Sequence, residues 1–89
     1  MGKIVIAYKI FPSEAGIDLE VLKEKIKKQL SDIASIQRFD EEPIAFGISA
    51  LVVNMVLSED KEGILDETEK RLTRLEEISQ IQTLGVNRL

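Results

Sequence analysis

Three consecutive carboxylates, Asp40, Glu41 and Glu42, run directly into Pro43, Ile44, Ala45, Phe46 and Gly47. Adjacent acids suggest cation binding or acid–base hydrolysis. Consecutive strand residues point to alternating faces, so these three cannot converge on one ion without a bend. Paired carboxylates for hydrolysis would need a concave site, which no feature of the sequence marks. The acids therefore read as a hairpin flank, or as a charge that steers a basic partner. Phe46 is the more informative residue. A turn does not need a phenylalanine, so the ring either packs at home or enters a partner. Pro43 and Gly47 restrict the backbone on either side and would present the ring with little entropy left to lose on binding.

The rest of the composition narrows the chemistry further. The chain has 89 residues and neither cysteine nor histidine. That excludes disulfides, thiolate chemistry, the usual zinc sites and imidazole catalysis. Hydrophobic content of 44% with 31% charged residues describes one soluble domain, residues 1–89. A net charge of −4 disfavours direct nucleic-acid binding, which relies on cations to neutralise phosphates. A basic protein partner suits it better. No apolar run approaches the roughly 20 residues of a membrane span. Residues 1–4 pass into a strand pattern without a cleavage-site signature. The expected compartment is the cytoplasm.

The elements that must position residues 40–48 follow from periodicity. Residues 4–10 are apolar and β-branched and stop at Pro12, a first strand. Asp18 offers an N-cap, and Leu19, Leu22, Ile26 and Leu30 form the buried stripe of a first helix. A polar second strand is expected within residues 34–42 and a strongly apolar third strand over residues 48–57. Residues 58–63 are a polar turn. Leu65, Thr68, Leu72 and Leu75 mark a second helix, and residues 79–89 a fourth strand. The order β-α-β-β-α-β predicts an α+β, ferredoxin-like split βαβ sandwich: a four-stranded antiparallel sheet with two helices on one face. Strands one and three should be central and the more polar pair should form the edges. Parity places Val5, Ala7, Ala50, Val52 and Val56 with Lys9 and Asn54 on the open face. That set is apolar enough to serve as a contact surface for a partner or a second copy.

Such a fold hosts unrelated functions. Acylphosphatases need an arginine in the loop after the first strand, and residues 11–18 contain no cation. RNA-recognition motifs need stacking aromatics on the central strands. Those strands offer only Tyr8 and, at the edge, Phe11. Walker, GxGxxG and GxSxG motifs are absent. Covalent enzyme chemistry, a cofactor and a metal are not expected.

The stretch Glu42-Pro43-Ile44-Ala45-Phe46-Gly47 closely resembles the Pro-Ile-Ala-Phe-Gly loop of the archaeal translation elongation factor 1-beta family, the guanine nucleotide exchange factors of elongation factor 1-alpha. The resemblance spans essentially the whole chain and continues through Ala50-Leu51. It includes the Asp-Leu-Glu start of the first helix and the final Arg88-Leu89. Eukaryotic members end similarly, with a basic residue before a terminal leucine, and this sequence corresponds to their exchange domain alone. The resemblance implies that Pro43, Ile44, Ala45, Phe46 and Gly47 contact the second domain of elongation factor 1-alpha. It implies that Arg88 and Leu89 reach its nucleotide-binding domain, where the penultimate basic residue intrudes on the magnesium site. Arginine stands here in place of the family's lysine. A planar guanidinium prefers a bidentate carboxylate or phosphate contact, so two contacts for Arg88 stay open. The function so implied is promotion of GDP-for-GTP exchange during translation elongation, without bond making or breaking. The alternative is a small-ligand-binding or regulatory module that dimerises through its open sheet face.

Overall fold

The computed structural model describes residues 2–60 and 62–88. Its elements are β1 (Lys3–Pro12), α1 (Leu19–Leu30), β2 (Ala34–Ala45), β3 (Ile48–Ser58), α2 (Ile64–Thr73) and β4 (Ile78–Arg88). The strands lie in the order β2-β3-β1-β4 with every neighbour antiparallel. This is the ferredoxin-like arrangement that the element order predicts. The two most apolar strands are central, where both of their hydrogen-bonding edges are paired, whereas an outer strand must tolerate water along one edge.

Local signals set the helix boundaries. Asp18 has an extended backbone, and its carboxylate accepts the Glu20 N–H at 2.9 Å, which caps α1. The last turn of α1 carries Lys27 and Lys28, opposite to the helix dipole. The start of α2 is capped by backbone geometry instead: Gly63 sits at φ 74° with no side-chain cap, a conformation that favours glycine. From α1, Leu22, Ile26 and Leu30 are fully buried, with Leu19 at the margin. In α2 the buried stripe is Ile64, Thr68 and Leu72: Thr68 and Leu72 are as the sequence pattern predicts, and Ile64 takes the place of Leu65. Leu65 and Leu75 only flank the core. The helix begins at Ile64, and spacing by four from there brings Thr68 inward. Its hydroxyl donates to the Ile64 carbonyl at 2.8 Å, and among the described residues no buried side-chain polar atom is left unpaired.

These helices cover a single sheet face formed by Ile4, Ile6, Tyr8 and Ile10 of β1 and Leu51, Val53, Met55 and Leu57 of β3. Tyr8 is the one large polar side chain among them. Its hydroxyl donates to Glu69 of α2 at 3.1 Å. Burial, and then the Glu69 charge, pushes the phenol far above its ordinary value. A folded pKa above the unfolded one means that this contribution is whole below about pH 10 and is lost as pH rises beyond it. Glu77 has the opposite sign, because the Lys25 ammonium bonded to it lowers its pKa. Its contribution is whole above the ordinary carboxylate range and lost as pH falls through and below it. Thermal melts across pH should therefore decline on both limbs. Tyr8→Phe should flatten the alkaline limb and Glu77→Gln part of the acid limb. An unaltered alkaline limb in Tyr8→Phe would assign it to other groups.

The edge strand β2 departs from simple alternation. The register shifts between Ile36 and Arg38, so Gln37 is an extra residue facing no single partner. This bulge lets Ile36 and Phe39, three positions apart, both pack toward the helices opposite Met55 and Val53. On the opposite face, the register pairs Val5 with Val56, Ala7 with Asn54 and Lys9 with Val52, as parity predicts. Ala50 belongs to that face yet is fully buried. Lys9 reaches across β3 to Glu42, which lies opposite Ala50, at 3.0 Å.

Candidate functional site

The two ends of the sheet carry the residues singled out from the sequence. At one end β2 runs further than expected. Pro43, Ile44 and Ala45 belong to the strand rather than to a loop, with Pro43 opposite Ser49 and Ala45 opposite Ile48. An edge strand accepts Pro43 because one row of its backbone needs no partner. The connection to β3 is then only Phe46 and Gly47, at φ 52° and φ 75°. Positive φ at both central positions is the two-residue hairpin geometry whose twist matches the flanking strands. Glycine adopts it freely; for phenylalanine it costs on the order of 1–2 kcal/mol. The ring receives no compensating packing, since Phe46 is 97% exposed. The ring does not fold back onto its own sheet. Ile44, 39% exposed, extends the apolar surface below the tip.

The acidic flank stiffens this hairpin. Asp40, Glu41 and Glu42 diverge, each toward a different cation: Arg38 at 2.8 Å, Lys23 at 3.2 Å and Lys9 at 3.0 Å. Lys23 belongs to α1 and is also held by Glu20 at 2.7 Å, which raises its pKa. Lys9 lies on the opposite sheet face with its ammonium 5.6 Å from the Phe11 ring centre. Strand β2 is thus tied to α1 on one face and to β1 on the other, immediately before Pro43. Because these charges are already paired within the chain, a steering role is reduced from what three bare carboxylates would give. Neutralising all three should change association with a basic partner by less than about threefold at moderate salt. A much steeper loss, measured by stopped-flow, would restore the steering reading.

At the other end, Arg88 closes β4. It lies opposite Ile4, which lies opposite Leu57 of β3. Leu57 is nine residues along β3 from Ile48 beside the tip, so Arg88 and Phe46 are separated by roughly 30 Å. The molecule measures 43 Å along its longest axis. The Arg88 side chain is 75% exposed, and its Nε donates to Glu59 at 2.8 Å. Leu89 lies outside the described residues. A shallow groove beside Arg88 is lined by Ile4, Glu59, Glu62, Gly63, Ile64 and Asp66, among others. Sequence reasoning missed Glu59. It sits in a turn of mixed charge, where nothing in spacing separates a residue that binds an arginine from one that only solvates.

Fold and ends together define a small α+β domain that presents an aromatic hairpin at one end and a basic strand terminus at the other. Residues 5–89 match the EF-1 guanine nucleotide exchange domain, and the chain belongs to that family. Relatives named elongation factor 1-beta align over all 89 residues, covering 100% of this chain and 99% of theirs. That of Methanosphaera stadtmanae is 40% identical, that of Methanothermobacter thermautotrophicus 39% and that of Staphylothermus marinus 38%. These are archaeal translation factors. Among solved structures, the C-terminal domain of the MgtC protein from Mycobacterium tuberculosis superposes with a TM-score of 0.65. It covers 91% of this chain and 84% of its own at 10% identity, a likeness of fold alone.

Proposed function

We propose that this chain, as a single exchange domain, promotes release of GDP and uptake of GTP by elongation factor 1-alpha in the cytoplasm. The observation that carries the activity is the family match across residues 5–89. The placement of two exposed groups roughly 30 Å apart supports a bridging mode. Phe46, with Pro43, Ile44, Ala45 and Gly47, docks on the second domain of the partner. Arg88, followed by Leu89, approaches the nucleotide-binding domain.

Exchange needs no covalent step. GDP on the partner depends on magnesium to neutralise phosphate charge. A protein that binds best to the open, magnesium-free state lowers nucleotide affinity by linkage, and the nucleotide reciprocally weakens that protein. GTP then displaces the factor by abundance. The Arg88 guanidinium can act as a local positive charge near the metal, or as a fork on a carboxylate of the partner.

The direct test follows labelled GDP on purified elongation factor 1-alpha. Substoichiometric amounts of this chain should accelerate its release, because a factor that leaves after each exchange turns over. Release that stays unchanged, together with saturable binding of a small ligand, would point instead to a regulatory module. The open face of Val5, Ala7, Val52 and Val56 would then be its natural dimer surface.

A further inference from the structure

Glu59 makes two bonds and one close approach to Gly2. Its backbone N–H donates to the Gly2 carbonyl at 3.0 Å. One carboxylate oxygen accepts from Arg88 Nε at 2.8 Å. The other oxygen occupies the space that a Cβ on residue 2 would need, well inside van der Waals contact. The carboxylate therefore sits where only a glycine at position 2 leaves room. Its side chain is 30% exposed against 75% for Arg88, so the acid is the better-anchored partner of the pair.

We propose that Glu59, seated over Gly2, is a positioning residue for Arg88. By engaging Nε it fixes the plane of the guanidinium and turns the outer pair of nitrogens away from the fold. That edge is the one suited to a carboxylate or phosphate group on the partner. A long side chain otherwise loses its rotamer freedom when it docks, and restraint beforehand reduces that loss. The groove itself supplies the competing arrangement. Glu62 and Asp66 also line it, and Asp66 is engaged by Lys70 at 3.2 Å. Without the Glu59 charge, the guanidinium is drawn toward Glu62, along the groove rather than outward. This inference rests on the reading of Arg88 as a partner contact.

Three variants test it: Glu59→Gln, Gly2→Ala and the double change. The Gly2→Ala methyl meets only the end of the Glu59 side chain, which can swing away without disturbing the sheet. On the chain alone, nitrogen relaxation at Arg88 Nε should show a more mobile guanidinium in all three. In the GDP-release assay with magnesium present, the maximal rate should fall about three- to fivefold, as suits loss of an exposed ion pair. The half-saturating concentration and the melting temperature should stay near those of the parent. The double variant should be no worse than either single one, because both remove the same contact. Glu59→Asp, which keeps the charge at shorter reach, should recover part of the loss. Unchanged Arg88 mobility, or an unchanged maximal rate in Glu59→Gln while Arg88→Ala is impaired, overturns the positioning role. An unimpaired Arg88→Ala overturns the reading of Arg88 itself, and the positioning role with it. Those results are distinct, since only the second involves Arg88→Ala retaining full activity.

Discussion

Phe46→Ala is expected to lose most exchange activity while its melting temperature stays within about 3 °C of the parent. The ring is 97% exposed, so truncating it removes no core packing and opens no cavity. A buried ring would instead cost roughly 3–5 kcal/mol of stability. An aromatic anchor at an interface typically contributes on the order of 2 kcal/mol or more to binding, or roughly 30-fold in affinity. The backbone at residue 46 adds a second handle. Its φ of 52° is unfavourable for phenylalanine and readily adopted by glycine or asparagine. Phe46→Gly should therefore melt at least as high as the parent and exchange as poorly as Phe46→Ala. Thermal melts and GDP release on the same samples decide the matter. A fall of 10 °C or more with full activity below the transition would make Phe46 a structural residue.

Arg88→Ala should impair exchange strongly in magnesium and only weakly when magnesium is chelated. A charge-assisted hydrogen bond contributes about 1.5–3 kcal/mol, which corresponds to roughly a 10- to 100-fold loss of rate in magnesium. Chelation already empties the site that Arg88 is proposed to contest, so the gap between parent and variant should shrink to about threefold or less. Affinity for the nucleotide-free partner should fall modestly, because the Phe46 end still holds. The lost quantity is the preference for the magnesium-free state. A gap of equal size with and without magnesium would move Arg88 to a carboxylate contact elsewhere on the partner. Arg88→Lys separates the two chemistries: near-full activity supports a point charge, whereas loss supports the planar fork.

Most of the fold was legible because its signals are periodic. The alternating apolar residues of β1 and β3, the Asp18 cap and the four-residue spacing of Leu22, Ile26 and Leu30 each act locally and agree with one another. The misses lie where long-range contacts decide. Ile64 rather than Leu65 faces the core, because the Gly63 cap fixes where the helix starts. The Gln37 bulge is set by register against β3, which one strand's sequence does not encode. Pro43 to Ala45 look like a loop by composition, yet pairing with Ser49 and Ile48 draws them into the sheet. At the candidate site, the unusual residue type at the hairpin made Phe46 conspicuous. Gly2 and Glu59 were silent, since their meeting depends on Gly2 lying beside the turn that follows β3.

The antiparallel pairing of β2 with β3 also makes the molecule a strut of fixed length. Its two tips are joined by hydrogen-bonded strands in the order β2-β3-β1-β4. Spacing, apart from chemistry, then becomes a variable of its own. Two residues inserted into each of β2 and β3, opposite each other, would preserve which side chains face the helices and lengthen the strut by roughly 6.6 Å. Every contacting group would be retained, and a partner gripped at both ends would have to open wider to accommodate it.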